Sequence, residues 1–355
     1  MQVYRSSFAV PILVVVLAGC RDETPTDPTA IAASSAPAPT VALVGAPNSW
    51  EQIAPAPTAR YGTVAGSAVN VNGRSILYVF GGGGIEEGQA GLNTVENYNI
   101  SSDRWSTKAG MPVGAGFING IGNINGKLYL PGGIAYNGDG YNHYRYLQVY
   151  DPAANTWSLG ADMPVASSGG VAGVINNRLY VLTGSEQGSL PDGTPCDDCP
   201  EVPNRRLFRY NPATNGWVRL RSCPNFHIEG VAGVINGKLY VAGGRGSGVT
   251  TRALDIYNPA TNTWTSGAPL PSVHTGGVGV VLAGQFYVIG GFTGEVVAYN
   301  PNTNRWVKKA SFPVPTARFM SGDKVTLDGK ARIVAHVGLE DGEPNNGRAT
   351  FVYTP

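Results

Sequence analysis

The sequence predicts an all-β protein built from six repeated units, and three observations carry that reading. The 355 residues include 49 Gly and 26 Pro, nearly double the ordinary share of turn-forming residues, so the chain reverses often. Six Trp recur about every 50 residues along most of the chain. Short apolar runs of strand type, most of them closing on Gly, lie between successive Trp. Composition also bounds function: 25 basic and 24 acidic side chains leave a net charge of +1, too little to gather nucleic acid or to hold the chain on an anionic membrane. A hydrophobic fraction of 42% supplies a sizeable core and excludes disorder throughout.

In chain order, Arg5 precedes an apolar run from Phe8 to Leu17 that is too short to span a bilayer comfortably. Leu17-Ala18-Gly19-Cys20 follows, and charge, length and small-residue ending together predict a signal peptide over 1–19. Leu-Ala-Gly-Cys also resembles the bacterial lipobox. That resemblance implies cleavage before Cys20, acylation of Cys20 and durable anchoring in the bacterial cell envelope. Arg21, standing where an inner-membrane retention signal often carries Asp, implies the outer membrane. An ordinary secretory signal with an incidental Cys is the alternative. Residues 20–47 are rich in Pro, Thr, Ala and Ser, as in Thr24-Pro25-Thr26-Asp27-Pro28-Thr29, and predict a disordered tether.

From residue 48 the repeats begin. The Trp are Trp50, Trp105, Trp157, Trp217, Trp264 and Trp306, each with Asn or Asp two residues earlier. The last five follow a Tyr-led turn such as Tyr210-Asn211-Pro212 or Tyr257-Asn258-Pro259, which reads as a tight hairpin loop. Upstream lie runs such as Leu77-Tyr78-Val79-Phe80-Gly81-Gly82 and Leu239-Tyr240-Val241-Ala242-Gly243-Gly244. Before them come small-residue apolar runs such as Gly230 to Ile235, turned by Asn236-Gly237. Each unit is therefore four short strands.

The double Gly, the Tyr and the spaced Trp resemble the kelch repeat, over residues 48–355. The resemblance implies a six-bladed β-propeller of four-stranded antiparallel blades. Glycines would admit close backbone approach at the crowded axis, and Trp and Tyr would fill the wedge between blades. The last unit, ending Thr350-Phe351-Val352-Tyr353, has no Asn-x-Trp of its own, whereas Asn48-Ser49-Trp50 has no Tyr-x-Pro turn before it. The N-terminal strand is thus expected to complete the last blade as its outermost strand.

In such a blade, the loops between second and third strands share one face with the connections from one blade to the next. These loops vary in length: Gly83 to Gly91, Ile134 to Arg145, Ser185 to Asn204, Arg245 to Thr251 and Leu339 to Arg348. Long variable loops on a rigid scaffold are where binding usually resides. All four His map there: His143 in a loop, His227 and His274 in lead-ins to innermost strands, His336 near the end of a second strand. The lead-in position three residues after Pro holds Arg60, Ala115, Ser167, His227, His274 and Arg318, expected to ring the channel mouth. With Glu229 nearby, this lining suits a carboxylate or hydroxyl-rich ligand; the alternative is that Arg and His hold neighbouring loop carbonyls. The loop from Tyr136 through Tyr141 and His143 to Arg145 offers aromatic faces for a sugar or a protein, or else packs on itself.

Cys196, Cys199 and Cys223 remain after Cys20. In an oxidising compartment a loop disulfide is expected, either Cys196 with Cys199 or Cys223 with one of them. A zinc set of these three with His227 is the alternative, and no metal or other cofactor is favoured. Gly81 to Gly84 opens no helix and is no phosphate loop, and the chain lacks the Gly-x-Ser-x-Gly and His-Glu-x-x-His motifs.

The leading expectation is a non-catalytic, monomeric recognition module of the envelope that binds a protein or glycan through its long-loop face. The alternative is a sugar-processing enzyme resembling the bacterial N-acetylneuraminate epimerases, with Glu229 or Glu201 and Arg205 or Arg318 as acid–base and carboxylate-binding groups. A third, resemblance to galactose oxidase, requires a Cys–Tyr crosslink and a Tyr-His copper pair. No Tyr directly precedes a His in this chain.

Overall fold

The computed structural model describes residues 45–60, 66–71, 74–83, 91–136, 141–186, 202–338 and 347–355, all within the unit Pro39–Pro355. The signal peptide, Cys20, most of the tether, Cys196, Cys199 and Glu201 lie outside the described residues. Six four-stranded antiparallel sheets form the propeller. From inside outward, blade one is Gly66–Val71, Arg74–Phe80, Val95–Asn99 and Arg104–Thr107. Blade two is Gly122–Ile124, Lys127–Pro131, Leu147–Asp151 and Thr156–Gly160. Blade three is Val171–Ile175, Arg178–Leu182, Leu207–Asn211 and Gly216–Arg219; blade four is Val231–Ile235, Lys238–Ala242, Leu254–Asn258 and Thr263–Ser266. Blade five is Val278–Leu282, Gln285–Ile289, Val296–Asn300 and Arg305–Lys308.

Blade six closes the ring as the sequence predicts. Ser321–Leu327, Lys330–His336 and Thr350–Thr354 are joined on the outside by Ser49–Ile53, with Trp50 opposite Tyr353 in the ladder. Alternation along each second strand feeds two interfaces. Leu77 and Val79 pack toward blade six, while Ile76, Tyr78 and Phe80 pack toward blade two. Every pair of neighbouring blades encloses a cluster of this kind, so the core is a ring of six wedges.

The Asn-x-Trp signature latches the blades together. Asn262 sits in the left-handed region at φ 51°, closing the turn between third and outermost strands. Its side-chain oxygen accepts from Tyr257 Oη at 2.8 Å and from Arg221 N–H at 3.0 Å. Trp264 Nε1 donates to the Arg221 carbonyl at 2.9 Å. One residue of the lead-in is thus gripped at both its donor and its acceptor, and the pattern repeats at Ala54, Ala109, Ala161 and Ala268. Across the closure, Asn48 Oδ1 accepts from Tyr353 Oη at 2.7 Å and Ala310 N–H at 3.0 Å, and Trp50 Nε1 donates to the Ala310 carbonyl at 3.1 Å.

Glycine is required where blades converge. A Cβ on Gly173, in the innermost strand of blade three, would lie 2.7 Å from Leu239 Cδ1 and 2.8 Å from Val234 Cγ2 of blade four. Gly81 combines φ +58° with a position where a Cβ would meet the Ala115 carbonyl at 2.1 Å, so both its conformation and its space exclude a side chain.

Candidate functional site

Short hairpins extend the loops of three blades: Ile134–Tyr136 with Tyr141–His143, Ser185–Glu186 with Val202–Pro203, and Arg245–Gly246 with Val249–Thr250. Isolated bridges tie their bases to the lead-ins, Gly116 to Ile134, Ser168 to Ser185 and Ile228 to Arg245. Loops and lead-ins therefore share one face.

Arg60, His227 and His274 are buried in the lead-ins and do not ring the channel mouth. Each spans the same two acceptors, the first carbonyl of its blade's double Gly and a carboxylate at or just before the third strand. His227 Nδ1 lies 2.7 Å from the Gly243 carbonyl and Nε2 lies 3.0 Å from Asp255 Oδ2. His274 Nδ1 lies 2.8 Å from the Gly290 carbonyl, with Nε2 3.3 Å from Glu295 Oε2. Arg60 reaches the Gly81 carbonyl at 3.4 Å and ion-pairs with Glu96. The physical reason is the same in all three: the lead-in turns inward over a loop carbonyl and a carboxylate, and a side chain with nitrogens at two positions reaches both. Blade two replaces the ion pair by the buried amide of Gln148, which bonds the Val113 N–H and carbonyl at 2.9 and 3.0 Å.

Arg318 does not belong to this series. Gly291 N–H donates to Ala317, as Gly82 donates to Ala115 and Gly133 to Ser167, so Ala317 is the buried equivalent. The lead-in Phe312-Pro313-Val314-Pro315-Thr316 carries an additional residue, and counting from Pro315 slips the register by one. Arg318 instead stacks on the rings of Phe292 and Phe319, 5.0 and 6.0 Å from their centroids.

The mouth is formed two residues beyond each buried position. Phe117, Glu229 and Phe319 occupy it with φ of 45°, 57° and 52°, alternating with glycines such as Gly169 and Gly276. A belt of backbone hydrogen bonds runs through these residues. Gly169 N–H donates to Phe117, Glu229 N–H to Gly169, Gly276 N–H to Glu229 and Met320 N–H to Gly276, at 2.6–3.1 Å. Bulky residues in the left-handed region are strained, and the belt holds them there. Phe117 and Phe319 meet edge to face at 5.0 Å, and Phe292, also left-handed at φ 69° and 47% exposed, packs on Phe319 at 6.5 Å.

Beneath this aromatic rim a cavity of about 430 Å³ opens among the innermost strands. Glu229, Asp323 and Lys324 are its charged lining, so the expected positive bias is absent among the described residues. Glu229 accepts from Arg245 Nη2 at 2.7 Å and from the Thr275 hydroxyl at 3.3 Å. Asp323 accepts from Ala68 N–H at 2.8 Å and Lys324 N–H at 2.7 Å. Burial nonetheless holds the Asp323 carboxyl above its ordinary range.

Of the remaining sequence candidates, Tyr141 is exposed, His143 is buried, and Tyr136 contributes a strand whose side chain lies outside the described residues. His336 is fully buried, with Nδ1 3.1 Å from Thr350 Oγ1. Cys223 is a buried free thiol 3.3 Å from Asp255 Oδ2. The expected disulfide pairings through Cys223 are therefore not those of the structure, because the lead-in places the thiol beneath blade four against a carboxylate. Phe117, Phe292 and Phe319 were not among the sequence candidates. For Phe117 and Phe319, alignment with Gly169 and Gly276 was the signal, since a Phe where other blades place Gly is a costly choice of backbone.

Comparison with known proteins agrees with this geometry. Residues 230–271 match the Kelch motif model. The chain carries a kelch motif on a six-bladed propeller. It is 28% identical over 198 residues to human Kelch-like protein 38, covering 56% of this chain and 29% of that protein. It is 28% identical over 162 residues to Kelch-like protein terF of Aspergillus terreus, covering 44% and 33%. The chain thus spans about a third of the length of these curated relatives. The solved structure of YjhT superposes with a TM-score of 0.66 at 16% identity, covering 84% of this chain and 95% of that one, a likeness of fold.

Proposed function

We propose that the protein is a non-catalytic, monomeric recognition module of the bacterial cell envelope, anchored by lipid on Cys20 at the outer membrane, that binds a protein or glycan ligand through the aromatic rim. The observation that supports this reading is the set of strained phenylalanines, Phe117, Phe292 and Phe319, gathered at the channel mouth with Arg318 stacked among them. Strain of this kind collects at functional sites, where surrounding structure over-determines it. Apolar ring faces edged by guanidinium donors suit either the apolar face of a sugar or an anchoring side chain of a protein. Tyr141 is exposed on the loop hairpin of blade two, whose base is bridged to the lead-in that carries Phe117.

The test is a glycan array together with an envelope pull-down, using the purified chain. Phe319→Ala and Arg318→Ala are each expected to weaken any captured ligand tenfold or more, and Tyr141→Ala less. Unchanged affinity in both rim variants moves the site off this face.

A second reading, a sugar-acid epimerase or mutarotase, draws on Asp323, whose raised carboxyl is a candidate proton donor inside the cavity. Exchange of sialic acid anomers followed by NMR tests it. A rate equal to that in buffer eliminates it.

A further inference from the structure

Beneath the lead-in to blade four, Cys223, His227 and Asp255 meet, all buried, with one ligand atom from each lying within 4.8 Å of the others. Cys223 Sγ and His227 Nε2 converge on the same Asp255 Oδ2 at 3.3 and 3.0 Å. The edges of a tetrahedron of zinc ligands are roughly 3.3–3.8 Å, so small movements of these side chains would open a coordination site.

Three features point beyond a structural ion pair. His227 Nδ1 is committed to the Gly243 carbonyl, which leaves Nε2 as the ligand nitrogen, the arrangement metal-bound His adopts. Asp255 Oδ1 is buried with no hydrogen-bond partner among the described residues, and such an acceptor calls for an explanation. The thiol itself is particular to blade four: the lead-in residue before Pro is Met111, Met163, Leu270 or Phe312 in blades two, three, five and six. Blades one and five build the same clamp without a thiol, so Cys223 is not needed for it.

We propose that Cys223, His227 and Asp255 bind one zinc-class divalent cation, with half-buried Asn225, now 2.9 Å from Asp255 Oδ2, turning its amide to offer oxygen as a fourth donor. A cysteine thiolate, an imidazole and a carboxylate suit zinc. Both ring nitrogens of His227 face protein oxygens, the Gly243 carbonyl and Asp255 Oδ2. Binding releases the Cys223 Sγ proton to solvent, together with any hydrogen on His227 Nε2, as the dication enters. The thiolate and the carboxylate together balance the dication, so the occupied site carries no net buried charge.

The test uses the full chain, stripped with a chelator and titrated with Co2+, then with Zn2+ as competitor. One equivalent of Co2+ with a thiolate-to-metal charge-transfer band, displaced by Zn2+, is expected, together with a Zn2+-dependent rise in Tm. Cys223→Leu, carrying the residue that blade five uses, is expected to keep the metal-free Tm and to lose both the band and the rise. Cys223→Ser is expected to lose the band and bind Zn2+ at least tenfold more weakly, which serves if the Leu variant does not fold. Absence of stoichiometric metal overturns the proposal. So does a band that survives in either variant, which assigns the metal to another thiol.

Discussion

His143, His227, His274 and His336 are all buried on the loop face, and their environments make two of them acid-sensitive. Burial, with the Arg60 charge adding to it, pushes His336 down to about 3, and burial pushes His143 down to about 4 despite a hydrogen bond with the Ser185 backbone. The unfolded chain takes up these protons near pH 6.5 whereas the folded chain does not. Their contribution to stability is therefore complete above about pH 6.5 and falls as pH drops toward 4 and then 3. Urea unfolding of wild type and His336→Gln over that range should show the variant losing less stability on acidification, by up to about 1.4 kcal/mol per pH unit. Parallel curves would count against a neutral His336. Legibility was uneven at this scale: the sequence located these histidines on the right face, but only packing shows that they point inward.

Among the elements, the turn between third and outermost strands does more than reverse the chain. The residue two before each Trp combines a left-handed turn, a Tyr hydroxyl contact and one half of the latch onto a neighbouring lead-in. Asn262→Ala removes an acceptor from the Tyr257 hydroxyl and the Arg221 N–H and strains the turn. It is expected to destabilise the protein by about 1–3 kcal/mol, measured as a lower urea midpoint with an unchanged m-value. Asn262→Asp keeps the acceptor, as Asp103 does naturally in blade one, and is expected to lose much less. The lead-ins show the opposite case. One additional residue before Ala317 shifts the register, so Arg318, grouped in the sequence with Arg60, His227 and His274, lies one residue beyond the buried series.

For the whole molecule, closure rests on a strand donated from the start of the propeller. Trp50 packs edge to face on Phe312 at 4.9 Å and against Tyr353 at 5.0 Å, and Ile53 enters the cluster between blades six and one. Deleting residues 48–53 exposes the edge of Thr350–Thr354 and opens both wedges beside it. Its Tm should fall well below that of the intact chain, and equal Tm values by calorimetry would show that the ring closes without this strand. Closure also fixes the distance across the channel mouth, where Phe117 of the lead-in to blade two touches Phe319 of the lead-in to blade six. The rim and the ring are therefore coupled, and a ligand held there should protect the closing strand from exchange.

The sequence by itself determined the six repeats, the four strands in each, the closing role of Trp50 and the face that carries the loops. Those features follow from local chemistry repeated at a period: Asn-Gly turns, alternating apolar strands, double glycines and one Trp per unit. The tertiary structure alone decided which loop-face residues are buried clamps and which form the rim. Arg60, His227 and His274 became interior clamps because carbonyls and carboxylates from distant strands converge on them. Phe117 and Phe319 became the candidate site because a belt of hydrogen bonds through successive lead-ins runs through Phe117 and the residue after Phe319, and Phe292, whose N–H donates to the Ala317 carbonyl, packs on Phe319 beside them.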